Sequence, residues 1–253
     1  SFRPIAVLKG GTLAGRLRTG FKRVSLRSGL VVFQFITSIV LIVGTLVVYR
    51  QLSFIQTKKL GFERDHLLTV NDVYALGKRA ETFKAEVLKV PGVVRGSLSG
   101  YLPTPSNRSD NAFFPEGNVD QKNGVNMQNW EVDHDYVQTM GMQLVQGRDF
   151  SREFGSDSTG ILLNETAAKQ FGFTDPIGKR ISRFDDPTGK TLKTFTVIGV
   201  VKNFHFESLR RIVGPLSLVL SPNSGSAVFR LRSDDPTNLL KQIEAKWHAV
   251  APG

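Results

Sequence analysis

A run of 20 uncharged residues, Leu30 to Tyr49, constrains this chain more than any other feature of its sequence. Arg27 and Arg50 bound the run, and fourteen of its residues are Leu, Ile, Val or Phe. At about −0.3 to −0.6 kcal/mol for each of these side chains, bilayer insertion is favoured by roughly 4 to 8 kcal/mol. A helix of this length is about 30 Å long, which matches the hydrocarbon layer of a membrane. We therefore predict a transmembrane helix over residues 30–49.

An apolar run of this kind can also be a buried core helix or a cleaved signal peptide. Core helices seldom extend over about 20 residues without a charge. A signal peptide has a shorter apolar segment followed by a small-x-small cleavage site, whereas Arg50-Gln51-Leu52-Ser53 follows this run. A core helix and a signal peptide are therefore both disfavoured.

The small and polar residues of the run fall on one face of the predicted helix. At 100° per residue, a stripe about 120° wide contains Gln34, Thr37, Ser38, Leu41, Gly44 and Thr45. Membrane helices use such residues to approach a neighbour closely and to hydrogen-bond across the contact. We predict that this face packs against other transmembrane helices. The alternative is a lone anchor that merely tolerates these side chains.

The positive charge of the chain is concentrated at the same end. The chain has 33 Lys and Arg against 22 Asp and Glu, a formal net charge of +11, and no Cys. Ten of the basic residues precede the first acidic residue, Glu63, so residues 63–253 are nearly neutral. This balance excludes a nucleic-acid partner for the folded region. Residues 1–29 are predicted to be a cytoplasmic segment by the positive-inside rule, and contact with anionic lipid accounts for the same residues equally well.

After the span, residues 50–62 are predicted to continue the helix as a stalk that stops at Gly61. Short apolar or alternating runs then predict an α+β domain. Its predicted strands are 67–73, 93–99, 125–132, 161–163, 194–201, 216–220 and 227–231, and its predicted helices are 79–90, 134–140, 165–171 and 236–247. Asn164 is predicted to cap the third of these helices. Residues 102–123 are predicted to be a long polar loop, and the last two strands to form a hairpin.

Catalytic and metal-binding patterns are missing from the sequence. Gly189-Lys190-Thr191 ends like a phosphate-binding loop, but Phe184 stands where that loop needs Gly. Asp133-His134-Asp135 is the only dense group of metal-ligand types, and a solvated loop accounts for it better because neighbouring residues point apart. Hydrolase elbows and zinc-protease pairs are absent, and without Cys there is no disulfide framework or thiol nucleophile. We therefore expect no enzyme activity, and no catalytic, cofactor-binding or metal-binding residues.

Several segments together resemble the MacB/FtsX-type ABC transporter permeases. They are Phe33-Gln34-Phe35, Tyr49-Arg50-Gln51-Leu52 to Leu60-Gly61-Phe62, Val132-Asp133-His134-Asp135-Tyr136, Met140 to Phe150, Leu163 to Ala168, Asp175 to Lys179, and Val197 to Phe204. The resemblance runs from about residue 25 to the end of the chain. The succession of motifs from Gly147-Arg148 to Val201 is similar to the MacB-like periplasmic core domain. The sequence as a whole is similar to the long permeases of Bacteroidetes.

This resemblance implies a two-lobed periplasmic domain. Residues 63–136 and 214–253 would form a porter-like α+β lobe, and residues 137–213 an inserted, smaller β-rich lobe. Such permeases lie in the bacterial inner membrane and do not hydrolyse ATP. A separate cytoplasmic ABC ATPase does, and the permease couples hydrolysis to periplasmic movement for the export or extraction of amphiphilic substrates.

The resemblance also implies partners, namely the ATPase, other transmembrane helices of the same permease, a second permease unit and a periplasmic protein. Family members have four or more spans where this chain has one, and the chain begins without Met, so we expect it to be part of a longer protein. The alternative function is a ligand-sensing extracytoplasmic receptor domain on a membrane anchor.

Overall fold

The computed structural model describes residues 26–57, 61–62, 66–103, 110–186, 189–207, 211–222, 225–233 and 235–251. The chain divides into two compact units, residues 1–58 and 59–253. The predicted cytoplasmic segment 1–29 lies almost wholly outside the described residues, so its placement stays a prediction.

The described part of the first unit is one long helix, α1 (Leu26–Thr57). Its stretch Arg27–Phe54 is 28 residues long and apolar enough to cross a membrane, and its side chains are exposed. A membrane would bury this apolar surface, which no other described residue of the unit covers. The predicted span 30–49 lies inside α1, and the helix continues through the first part of the predicted stalk to Thr57.

The second unit mixes helices and strands, as predicted. Its helices are α2 (Ala80–Leu88), α3 (Tyr136–Met140), α4 (Glu165–Gln170) and α5 (Pro236–Val250). Its strands are β1 (Leu67–Asn71), β2 (Val93–Ser99), β3 (Asp110–Pro115), β4 (Val125–Val132), β5 (Leu144–Gly147), β6 (Gly160–Asn164), β7 (Arg180–Phe184), β8 (Leu192–Val201), β9 (Leu216–Leu220) and β10 (Ser226–Leu231). Short 3₁₀ turns lie at Val73–Arg79, Gln121–Asn123 and Gly155–Thr159.

Six of the strands close on themselves. β4 pairs with β3, β3 with β7, and β7 with β8, all antiparallel. β8 then pairs with β6 in parallel, β6 with β9 antiparallel, and β9 returns to β4 in parallel. The ring is therefore a small barrel, and all six strands contribute to one apolar cluster of Phe113, Val125, Met127, Ile161, Leu163, Ala167, Ile181, Phe195, Val197 and Val219. A barrel of this size is filled by its own side chains.

A three-stranded antiparallel sheet in the order β1-β10-β2 extends from the barrel, joined to it where Ser99 of β2 pairs with Val132 of β4. α2 and α5 pack on this sheet through Phe83, Val87, Phe229, Leu239 and Ile243. The rings of Phe83 and Trp247 meet edge to face at 5.3 Å between centroids. A third cluster around Trp130, which includes Tyr136, Phe204 and Phe206, fills the space beside β4.

Local sequence signals position most of these elements. The side chain of Asn164 accepts a hydrogen bond from Ala167 N at 2.9 Å, which confirms the predicted cap of α4. α5 begins at Pro236. The preceding residue, Asp235, caps the helix, because its side chain accepts a hydrogen bond from Asn238 N. Every predicted helix or strand of the domain is present within three residues of its expected ends.

Two sequence-based expectations are wrong, one in extent and one in pairing, and two strands were missed. Residues 102–123 are not one loop, because β3 lies within them and buries Phe113 and Phe114 on its two faces. β9 and β10 do not form a hairpin: β9 pairs with β4 and β6, whereas β10 pairs with β1 and β2. β5 and β7 were not predicted. Local patterns identify an extended segment but do not specify its distant partner.

The predicted boundary between two lobes crosses the barrel. β3, β4 and β9 come from the segments assigned to the porter-like lobe, and β6, β7 and β8 from the segment 137–213. Because these strands are hydrogen-bonded in one ring, no break in the sheet marks that boundary within the described residues. The two-lobed division therefore stays a prediction.

Candidate functional site

The predicted packing face is on α1. All six of its residues are exposed within the first unit, and two of its hydroxyls bond inside the helix. Thr37 Oγ1 donates to Phe33 O at 2.9 Å, and Thr45 Oγ1 donates to Leu41 O at 2.8 Å. These bonds lower the cost of placing a hydroxyl in lipid, since the carbonyl acceptor is already in the helix. Contact of this face with a neighbouring helix stays a prediction.

A buried ion-pair network lies where β4 leads into α3. The Asp133 carboxylate is 8% exposed and the Lys84 side chain of α2 is 4% exposed, and their charged atoms are 2.5 Å apart. Asp133 also accepts hydrogen bonds from Ser97 Oγ at 2.7 Å and from Leu98 N at 2.8 Å, both on β2. A buried ion pair is favourable only when its remaining lone pairs are satisfied in this way. Asp133 therefore joins α2 and β2 to the start of α3.

Asp135 extends the network towards the segment after β5. Its carboxylate lies 2.6 Å from Lys84 Nζ, and it accepts two hydrogen bonds from the Arg152 guanidinium at 3.1 and 2.7 Å. Paired contacts of this kind fix the orientation of both groups. Lys84 and Arg152 come from segments assigned by sequence to different lobes, so the network connects those two segments directly.

The surrounding charges shift the pKa values of Lys84 and Asp135 in opposite directions. Burial lowers the pKa of Lys84, but Asp133 and Asp135 raise it by more, so that it lies above its ordinary value. The hydrogen bonds from Arg152, opposed by partial burial and reinforced by Lys84, hold the pKa of Asp135 well below its usual range. Both groups are therefore charged at neutral pH.

Asp149 lies beside this network. Its burial raises its pKa to about 6, against the hydrogen bond that it accepts from Phe150 N, and the charges of Asp135 and Asp157 add to the increase. A carboxylate with this pKa changes charge in the range where most Asp residues do not.

The Gly147-Arg148-Asp149-Phe150 segment depends on close backbone contact. Gly147 has φ +71°, and a Cβ there would collide with Ile198 O, while a Cβ on Gly199 would collide with Arg148 O. Only Gly fits where two backbone segments approach each other this closely. Arg148 then donates to both oxygens of Asp157, at 2.8 and 2.6 Å, and that carboxylate is 1% exposed. This pair lowers the pKa of Asp157 and raises that of Arg148.

The first described residues of the domain after α1 are Gly61 and Phe62. Gly61 has φ +89°, and a Cβ there would lie 2.7 Å from Asn203 O and 2.8 Å from Phe204 Cα. The Phe62 ring contacts the Phe204 ring edge to face at 6.4 Å, and Phe204 contacts Trp130 at 5.6 Å. Phe62, near the start of the second unit, therefore packs on the cluster around Trp130.

The Asn203-Phe204 segment is itself fixed to α4. Glu165 Oε2 accepts a hydrogen bond from Asn203 N at 2.8 Å, and Asn203 Oδ1 accepts from Thr166 N and Thr166 Oγ1 at 3.2 and 3.1 Å. Asn164 Oδ1 also accepts from Leu216 N, and its Nδ2 donates to Gly214 O. Two of the segments that carry the family resemblance thus bond to each other.

The sequence interpretation missed the ion-pair network. The expectation of a solvated loop is wrong for Asp133, which is buried and bonded to Lys84, whereas His134 and Asp135 are only half-buried in a turn. One signal was present: Lys84 lies four residues after Ala80 and three before Val87, on the buried face of α2. A lysine on that face requires a buried carboxylate. Within the described residues, no group of three His, Cys, Asp or Glu side chains could hold a metal ion.

Comparison with known proteins decides the family. The model of the MacB-like periplasmic core domain matches residues 31–246. The chain belongs to this family. The periplasmic region of MacB from Actinobacillus actinomycetemcomitans is similar in structure, with a TM-score of 0.51 over 75% of this chain and 86% of that chain at 14% identity. At that identity the likeness shows a shared fold.

A second solved structure is the extracellular domain of the noncanonic ABC-type transporter YknZ from Gram-positive bacteria. It has a TM-score of 0.42 and 15% identity, over 66% of this chain and 76% of that chain. No curated protein matches this chain. The family match confirms the resemblance seen in the sequence: this is a MacB-like periplasmic domain of an ABC-type transporter permease, with an apolar helix before it.

Proposed function

We propose that this chain carries movement from a membrane helix into a periplasmic domain, as part of an inner-membrane permease that works with a separate cytoplasmic ATPase. Movement of the periplasmic domain would drive export or extraction of amphiphilic substrates. Family membership over residues 31–246 is the observation that carries this proposal.

The length of α1 supports the proposal. Its 32 residues correspond to about 48 Å of helix, while a hydrocarbon layer is about 30 Å thick. The helix is therefore long enough to cross the bilayer and to continue for several turns as a stalk. A continuous helix transmits displacement along its axis better than a loop, because its backbone hydrogen bonds are all internal.

The contacts of Gly61 and Phe62, the last residues of the predicted stalk, support the next step. Both belong to the second unit, and there Phe62 packs on Phe204 in a buried aromatic cluster. The bonds from Glu165 and Thr166 fix Asn203, and the ion pairs of Asp133 and Asp135 join α2 to the segment that holds Arg152. Displacement at Phe62 would then move these packed elements together.

The proposal is tested with the full-length protein that contains this chain. It is co-purified with its ATPase in nanodiscs, and the ATP hydrolysis rate is measured with the periplasmic domain present and with it deleted. We expect stable co-purification and a hydrolysis rate that changes when the domain is removed. Failure to co-purify with an ABC ATPase would contradict the proposal and favour a membrane-anchored receptor domain.

The predicted helix face is tested in the same assembly. Gln34→Leu with Ser38→Leu removes polar groups of the face, and Val32→Leu with Val47→Leu is the matched control on the opposite side of the helix. We expect the first variant to lower the yield of intact complex and the control to leave it unchanged. Equal yields would mean that the face has no packing role.

A further inference from the structure

Two cations point towards the interior of the six-stranded barrel. Ile181 and Phe195 are cross-strand partners, and both belong to the interior cluster. Side chains alternate along a strand, so Arg183 and Lys193, each two residues from that pair, share its face. Arg183 and Lys193 are themselves directly opposite each other, and Arg183 is also the partner of Phe113.

Both cations lie over the same aromatic layer. The Arg183 guanidinium carbon is 5.8 Å from the centre of the Phe195 ring and 5.9 Å from that of Phe113, and Lys193 Nζ is 5.3 Å from the Phe195 ring. Phe113 and Phe195 are buried, with 0% and 2% of their surface exposed. The rings therefore close the apolar interior below, and the two cations form a charged layer above it.

The hydrogen-bonding capacity of this layer is incompletely used. Arg183 Nε is buried and has no hydrogen-bond partner in the part of the chain that the structure describes. The ion pair of Arg183 with Asp185 is 3.9 Å long, which is too long for a hydrogen bond. Among the residues that the structure describes, Lys193 forms no ion pair with a carboxylate. Like charges directly opposite on two strands destabilise a sheet, and an unsatisfied buried donor adds to this cost.

The charge of the β7–β8 hairpin is unusual for this domain. Residues 179–193 carry five Lys and Arg against two Asp, whereas residues 63–253 as a whole are nearly neutral. Lys193 lies about 26 Å along β8 from Val201, the end at which α4 begins. The cations are thus concentrated at the end of the barrel remote from α4, and mouths of barrels are frequent ligand sites.

We infer that Arg183 and Lys193 form a binding site for a phosphate group at this end of the barrel. A guanidinium fork and an adjacent ammonium match the oxygens of phosphate. Phosphate carries about −1.5 to −2 charge at neutral pH, which balances the two cations. Bound phosphate would offset the repulsion between the opposed charges. Free phosphate and the head group of a phosphomonoester lipid share this chemistry.

The test uses the whole chain in neutral phosphatidylcholine nanodiscs, titrated calorimetrically at constant ionic strength. The two probes are inorganic phosphate and water-soluble dihexanoyl phosphatidic acid. We expect saturable binding that Arg183→Gln and Lys193→Gln each weaken at least tenfold. Binding of both probes with similar strength indicates a site for the phosphate group itself, and at least tenfold tighter binding of phosphatidic acid indicates a lipid source.

Lys190→Gln is the matched control, because Lys190 is exposed in the same hairpin and its loss removes the same charge. We expect this variant to change affinity less than twofold. Arg183→Lys keeps the charge but removes the fork, and we expect intermediate affinity from a variant that retains the circular dichroism spectrum of the native chain. The inference is overturned if neither probe binds, if Lys193→Gln binds like the native chain, or if Lys190→Gln weakens binding as much as Lys193→Gln does.

Discussion

Replacing Lys84 with Met tests the buried ion-pair network most simply. Met has a similar length and keeps the apolar contacts of the Lys84 stem, but it removes the ammonium that lies 2.5 Å from Asp133 and 2.6 Å from Asp135. Breaking a buried ion pair from one side costs about 3 to 5 kcal/mol, because the remaining charge is left without its partner. Asp133 keeps its bonds from Ser97, Leu98 and the Asp135 backbone, so we expect about 3 kcal/mol.

The free energy of unfolding is measured by urea denaturation of the full chain in detergent, followed by tryptophan fluorescence. Trp130 is fully buried and therefore reports on unfolding of the domain. Lys89→Met is the control: Lys89 is 68% exposed and pairs with Glu86 at the surface, so its loss should change the free energy of unfolding far less than Lys84→Met does. Equal effects of Lys84→Met and Lys89→Met would refute the assignment of a buried network.

Three further variants test separate contacts. Asp149→Asn should be more stable than the native chain at pH 8, and this difference should shrink as the pH falls to 5. The native carboxyl has a pKa of about 6 in the folded chain, so it binds its proton more tightly when folded. Urea denaturation across this pH range measures the difference in the free energy of unfolding. Asn164→Ala should cost about 1 to 3 kcal/mol for each buried group left unpaired, while Asn126→Ala at an exposed position should be nearly neutral. Arg152→Gln should cost less than about 1 kcal/mol, because its side chain is 60% exposed, and added salt should reduce the loss of stability further.

Sequence patterns predicted the elements of this fold well where the signal is local. The uncharged run before Arg50 predicted α1, and the residues Asn164 and Pro236 predicted the starts of α4 and α5. Alternating or apolar runs located β2 and β4 with the bounds that the structure has. In each case the residues that determine the element lie within it or next to it.

Pairing could not be predicted in the same way. β9 is flanked by β4, from 84 residues or more earlier in the chain, and by β6, so nothing close to Leu216 in sequence specifies its neighbours. β3 was not predicted because polar residues surround Phe113 and Phe114 in the sequence. The burial of Asp133 was not predicted for a related reason, since its partner Lys84 is 49 residues away in the sequence. Long-range contacts of this kind determine the barrel and the ion-pair network alike.

We propose that movement of the stalk enters the domain where Gly61 packs on Asn203 and Phe204. Gly61→Ala would force a Cβ into that contact. Gly117→Ala is matched for strain, since Gly117 has φ +75° and a Cβ there would meet no atom within 4 Å. Because the chain has no Cys, a spin label introduced by Lys190→Cys is specific within it.

The deciding measurement is the distance between these labels in the proposed assembly of two permease copies with an ATPase. It is recorded with and without ATP by pulsed electron paramagnetic resonance. We expect an ATP-dependent change of distance in the native chain and in Gly117→Ala, and its loss in Gly61→Ala at an unchanged rate of ATP binding. An equal change of distance in Gly61→Ala would show that movement does not pass through this contact.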